Sequence, residues 1–169
     1  PAYLPHVLNV LKVQRPDKFR EILRVTPATF DKIIAKIEND SAFTNRSNNN
    51  QLPLDHQLAI TLYRFGHDGN GANLQEIANW AGVGKGTVHL ITRRVMTAVL
   101  RPSFMNVAVR FPTPAEKLQA KAWVEAHSCR AWRHGWCLVD GTLIPSYDRP
   151  HWYGESYFDR KSNYSLNIQ

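Results

Sequence analysis

The stretch Leu74-Gln75-Glu76-Ile77-Ala78-Asn79-Trp80-Ala81-Gly82-Val83-Gly84-Lys85-Gly86-Thr87-Val88 restricts the fold of this chain more tightly than any other. Ala78 is followed four positions on by Gly82 and six beyond that by Val88, the spacing of a helix-turn-helix. The small Ala78 lets two helices approach, Gly82 relieves the turn between them, and Val83 and Val88 close the little core they share. The second helix is expected over about 85–100, burying Val88, Ile91, Val95 and Val99 and leaving Lys85, His89, Thr92 and Arg93 on its surface. Gly84 and Gly86 lower helix propensity at its start. If the unit reads DNA, the N-terminal half of this helix enters the major groove. Lys85, Gly86 and His89 then lie closest to base edges, and Arg93 and Arg94 lie on phosphate. The other reading is a three-helix packing unit whose charged face is merely solvated.

The rest of the N-terminal half reads as helices separated by polar loops. Residues 1–13 are apolar but irregular, and the start at Pro1 points to a chain cut from a longer reading frame. Residues 17–25 form a short helix. Thr26-Pro27-Ala28-Thr29 is a helix start, with Thr as N-cap and Pro at the first helical position, and Phe30, Ile33, Ile34 and Ile37 follow at core spacing. Residues 39–51, with Asn48-Asn49-Asn50, favour a loop because Asn and Ser bond their own backbone. Leu54, Leu58, Leu62 and Phe65 fall on one helical face, and Gly66-His67-Asp68-Gly69-Asn70-Gly71 ends that helix in a flexible turn. Arg101-Pro102 stops the helix begun at Lys85, and an extended linker over 107–111 leads to a second start. There Thr113 and Glu116 make a capping box, and the helix runs to about His127 with Leu118, Ala122 and Val124 or Trp123 inward.

With 169 residues, 43% of them hydrophobic, the chain can build a real core in one ordinary domain or two small ones. The formal charge of +7 and pI near 9.7 favour a polyanionic partner, since Lys and Arg that neutralise phosphates release counterions. No apolar run approaches a membrane span, and the N-terminus lacks the grammar of a signal peptide. The two cysteines, Cys129 and Cys137, make no disulfide framework and read as small apolar fillers in a reducing compartment. His127, Cys129, His134 and Cys137 crowd together, but their spacing matches no zinc pattern. Trp132 and Trp136 read as core aromatics.

Trp136-Cys137-Leu138-Val139-Asp140-Gly141-Thr142 reads as a buried strand running into a carboxylate. Such a strand can fix Asp140 at the lip of a sheet, where it can bind a divalent cation. Asp-Gly between two short strands is equally a hairpin turn. Residues 142–147 follow as a strand, 148–161 as a polar aromatic loop, and 163–169 as a strand with Tyr164, Leu166 and Ile168 on one buried face.

The helix-turn-helix, Val139-Asp140-Gly141-Thr142, and Asp159-Arg160-Lys161-Ser162-Asn163-Tyr164-Ser165-Leu166-Asn167-Ile168-Gln169 together resemble the Harbinger-type DDE transposases and their domesticated nuclease-like relatives. The likeness covers nearly the whole chain and is most specific in the last thirty or so positions. It implies a mainly α region over 1–110 that binds double-stranded DNA, its helix-turn-helix at about 54–100, a connecting helix over 111–132, and the first strands of an incomplete α/β RNase H-like domain over 133–169. It further implies that Asp140 is the first of three acids holding Mg²⁺ or Mn²⁺ for phosphodiester cleavage and strand transfer, in a nuclear protein. The other two acids have no counterpart here, and Asp148, Glu155 and Asp159 do not stand in for them. The chain itself is therefore expected to cut nothing. It is expected to be an N-terminal fragment, a truncated gene copy or a subunit completed by another chain or a second copy covering the open sheet edge. A non-catalytic DNA-binding or adaptor protein is the alternative.

Overall fold

The computed structural model describes residues 2–45, 47–67 and 73–168. Most of the glycine-rich turn expected at 66–71 lies outside them, as does the last residue of the expected C-terminal strand. The described chain is mainly helical with one small antiparallel pair of strands, and it divides into two compact units, Pro1–Arg110 and Phe111–Gln169.

The first unit opens with a helix that the sequence reading treated as irregular. Helix α1 (Leu4–His6) passes without interruption through a π-helical turn (Val7–Leu11) into α2 (Lys12–Gln14). Leu4, Val7, Leu8 and Leu11 form one buried stripe, and Pro5 sits in the first turn, where a missing N–H costs nothing. Helix α3 (Pro16–Leu23) ends at Arg24, whose backbone is left-handed. Helix α4 (Pro27–Ile37) starts as expected, the Thr29 amide donating to Thr26 Oγ1 at 3.2 Å. Phe19 of α3 and Phe30 of α4 meet edge to face with centroids 5.4 Å apart, both fully buried. Each such ring contributes about 1.5–3 kcal/mol by leaving water.

Helix α5 (Leu54–Phe65) is the hub of this unit, packed against α3, α4 and two further helices, α6 (Leu74–Ala81) and α7 (Lys85–Val99). Consequently Gln57, Leu58, Ala59, Ile60 and Thr61 are buried in succession rather than on the single expected face, and Phe65 is exposed. Between α6 and α7 lies a three-residue turn. Gly82 takes a φ of +71°, its N–H reaches Asn79 O at 3.3 Å, and Val83 N–H reaches Ala78 O at 3.0 Å, the paired bonds of a left-handed helix end. Gly84 stays extended as the N-cap, outside α7. Val88, Ile91, Val95 and Ala98 are buried along α7. Thr92 corrects an expectation: it is buried, its hydroxyl donating to Val88 O at 2.8 Å. Pro102 begins α8 (Pro102–Ala108), because Pro fits a first helical position as well as it stops a preceding helix, so the linker expected over 107–111 starts only at Val109.

The second unit is built differently. Helix α9 (Pro114–His127) carries the expected capping box, Thr113 N–H to Glu116 Oε2 at 2.7 Å and Glu116 N–H to Thr113 Oγ1 at 3.3 Å. Its expected inward face is not buried: Leu118 and Trp123 are exposed, since α9 packs mainly on the short 3₁₀ turn Arg130–Trp132. Trp132 is exposed too, and Trp136 is half-buried beneath the Lys117 ammonium, 4.4 Å from its ring centroid. The segment before Asp140 is not a strand. Leu138 is 87% and Val139 75% exposed, because an apolar run holds extended form only when a neighbour pairs with it. The two strands are β1 (Thr142–Pro145) and β2 (Ser165–Ile168), antiparallel, with Thr142 opposite Ile168 and Pro145 opposite Ser165. Leu166 and Ile168 do share a face, but it is open to solvent, and Ser165 on the other face is the buried member.

Candidate nucleic-acid interface

Helix α7 carries two adjacent stripes outside its buried face. Lys85, His89 and Arg93 recur every fourth residue and are all exposed, with Gly86 beside them. Nothing lies within 4 Å of where a Cβ would stand on Gly86, so this first turn is open to close approach by another molecule. The second stripe is Thr87, Leu90, Arg94 and Thr97. It lies along a groove of about 710 Å³ whose opposite wall is drawn from residues 41–45 and 47–52. The five positions expected to meet DNA therefore share one helix and split between its two faces: Lys85, Gly86, His89 and Arg93 on the open side, Arg94 on the groove.

The charge around them is one-sided. No acidic residue occurs between Glu76 and Glu116, an interval that holds Lys85, Arg93, Arg94, Arg101 and Arg110. The carboxylate of Asp40, beside the groove residue Arg101, is already engaged. Ala42 N–H donates to it at 2.8 Å and Arg101 Nε at 3.1 Å, and these bonds hold it below the usual carboxylate range.

The groove wall falls in the expected loop over 39–51, whose composition gives no sign of a binding surface. A short 3₁₀ turn, Ser41–Phe43, packs on α7. Beyond it, buried Gln57 donates to Leu52 O at 2.7 Å and to Gln51 Oε1 at 3.3 Å, while Gln51 Nε2 donates to Thr44 O at 3.1 Å. A relay of amides thus fastens the segment to α5. A Gln followed six positions on by another Gln flanking Pro53 was the only sequence signal for it, and a weak one.

Asp140 stands apart in the second unit. Its carboxylate is exposed and accepts the Gly141 amide at 2.7 Å, and neither residue adopts the positive φ of the hairpin turn that was the alternative expectation. It lines a cleft of about 660 Å³ together with Asp159. Asp159 is spent on structure: Lys161 N–H and Asn163 N–H donate to one oxygen at 2.7 and 3.0 Å, and Ser165 Oγ donates to the other at 2.6 Å. Those bonds, that of Ser165 foremost, lower its pKa. Among the described residues no group of three or more His, Cys, Asp or Glu is placed to hold a metal ion. The donor set around Asp140 thus does not fit the two-ion centre of a DDE nuclease. Cys129 and Cys137 are free and exposed.

No family model, no curated protein and no solved structure matches this chain. No helix among the described residues is long and apolar enough to cross a membrane.

Proposed function

We propose that this chain binds double-stranded DNA, with α6 and α7 acting as a helix-turn-helix and α7 as the reading helix. The observation that carries the reading is the exposed stripe Lys85, His89 and Arg93 beside an uncrowded Gly86, within an interval free of acidic residues. Cations on one helix face attract the duplex through its phosphates, and the open first turn admits base edges. In this reading Lys85 and His89 select among sequences and Arg93 supplies phosphate contact.

Descent from a Harbinger-type DDE endonuclease, acting on nuclear DNA, is the lineage we propose for it, with Asp140 as the one acid of the metal centre that this chain contributes. A single carboxylate binds a hard cation such as Mg²⁺ or Mn²⁺ weakly, so the working property of the chain is DNA binding rather than cleavage. That brings it close to the non-catalytic adaptor as a second reading, which the exposed carboxylate of Asp140, accepting from the Gly141 amide, favours.

Fluorescence anisotropy of the 169-residue chain on mixed-sequence duplex, over a salt series with and without Mg²⁺, tests the proposal. Affinity should fall steeply with salt and ignore Mg²⁺. Lys85→Ala and His89→Ala should change the preference among duplexes, and Asp140→Ala should leave affinity equal or slightly higher because it removes a negative charge. An affinity indifferent to salt would sink the DNA reading, and plasmid nicking abolished by Asp140→Ala would restore catalysis.

A further inference from the structure

The groove along the second stripe of α7 is built for something other than protein packing. Among the described residues its lining holds two cations, Arg94 and Arg101, and no carboxylate. Arg101 is tied to Asp40, whereas Arg94 is half-buried and makes no side-chain hydrogen bond or ion pair among the described residues. The planar guanidinium fork suits two-point contact with a phosphate. Facing it, Asn49 and Asn50 leave their side-chain amides without partners among the described residues, and Thr87 does the same with its hydroxyl. Neutral amides and hydroxyls of this kind are the usual companions of Arg on a nucleic-acid backbone. Leu90, partly exposed on the same stripe, offers an apolar surface to a sugar ring.

We infer that this groove seats the sugar-phosphate backbone of one DNA strand, with Arg94 neutralising a phosphate and Asn49, Asn50 and Thr87 donating to its oxygens. The inference rests on the DNA-binding reading and gives it a second surface: one side of α7 meets base edges while the other grips the adjoining strand. From Thr87 to Thr97 the stripe runs about 15 Å at 1.5 Å per residue, long enough to follow the strand past more than one phosphate. The amide relay from Gln57 through Gln51 to Thr44 keeps the opposite wall in place before DNA arrives, so little ordering cost falls on binding.

The test uses the full chain and a labelled mixed-sequence duplex over a salt series, with wild type, Arg94→Gln, Arg94→Lys, the Asn49→Ala/Asn50→Ala pair, and Arg20→Gln as a control for charge alone on α3. Arg94→Gln should weaken binding about tenfold, the scale of one charge-assisted hydrogen bond. It should also flatten the slope of log affinity against log salt by about 0.9, the signature of one lost phosphate contact. Arg94→Lys should keep the slope and recover only part of the affinity. The Asn pair should lose several-fold in affinity at unchanged slope, since a neutral amide displaces no counterion. None of these variants should alter sequence preference.

The groove is not the strand's seat if Arg94→Gln and the Asn pair leave both affinity and slope unchanged while wild type still binds, a result that keeps the DNA reading. An equal change of slope in Arg20→Gln also overturns it. No salt-dependent binding by wild type would remove the DNA reading, and the groove with it. Should Arg94→Gln fail to fold by circular dichroism, the Asn pair on its surface loop and Arg94→Lys still decide the matter.

Discussion

The two units of this chain obey the same local rules and reach opposite ends. Residues up to Arg110 bury Leu4, Val7, Phe19, Leu23, Phe30, Leu58, Ile77, Val88 and Ile91 in one continuous core. Beyond Phe111 the only described residues that are fully buried are Gly154 and Ser165, while Trp123 is 62% and Trp152 77% exposed. The second unit owes its elements to local devices: a capping box, a Lys over a Trp ring, an Asp-centred turn and a two-stranded ladder. Local devices contribute tenths of a kcal/mol to about one each, whereas a core contributes through many side chains at once. The α6–α7 pair is accordingly carried on a continuous core, and the Asp140 carboxylate is not.

The contrast breaks most sharply at a pair of aromatic deletions. Phe30→Ala should destabilise the first unit by about 3–5 kcal/mol, the cost of a large cavity against Phe19. Trp123→Ala removes a larger ring, yet it should cost under about 1 kcal/mol, because the ring is mostly in water and its stacking partner, His127 at 4.4 Å, is exposed as well. Urea unfolding followed by hydrogen exchange within each unit measures both. A Trp123→Ala loss as large as that of Phe30→Ala would mean the second unit has a core after all.

What could be read in advance follows the same division. Thr26 and Thr113 as helix caps, Gly82 as the left-handed link and Val88, Ile91 and Val95 as the buried line of α7 were legible, since each signal lies within a few residues of its effect. The first helix was not legible although Leu4, Val7, Leu8 and Leu11 repeat at helical spacing, because the apolar residues between and around them blur the stripe until the neighbouring helices show which of them are buried. Leu138 and Val139 were misread because apolar character fits a strand only if another strand lies beside it. The lining of the groove was illegible for a different reason. It brings Asn49 to Arg94 across some forty positions, and only the packing of α5 under α7 makes them neighbours. The structural part of Asp159 could have been found, as an Asp with Lys, Ser and Asn in the next four positions is a common turn grammar.

Helix-end substitutions sharpen the comparison at a smaller scale. Gly82→Ala should cost about 1–2 kcal/mol, because the new side chain is held at a φ of +71° and its Cβ falls 2.6 Å from Ala2 Cβ. Thr113→Ala should cost about 1 kcal/mol through loss of the capping box. The difference lies in where the loss appears. Loss of the Gly82 turn should lower protection throughout the core of the first unit, whereas loss of Thr113 should fray only the amides of the first turn of α9. Protection lost evenly along α9 in Thr113→Ala would show that this helix depends on its cap for more than its first turn.

The smallest effect belongs to the turn that leads into β2. Asp159 gathers Lys161 N–H, Asn163 N–H and Ser165 Oγ, and these bonds keep its pKa below the ordinary 3.8. Folding therefore lowers the pKa, so the turn's contribution is fully present above the unfolded value and is lost as pH falls through the folded one, below the ordinary carboxylate range. Exchange of the Lys161 and Asn163 amides should accelerate as pH is lowered past that point, after correction for the intrinsic rate, while amides in α5 keep their protection. Asp159→Ala should show the same fast exchange at neutral pH and no further dependence on acid. If both amides stay protected in Asp159→Ala, the strand pair is held by its ladder and its surroundings, and the second unit is less dependent on local devices than its exposed aromatics indicate.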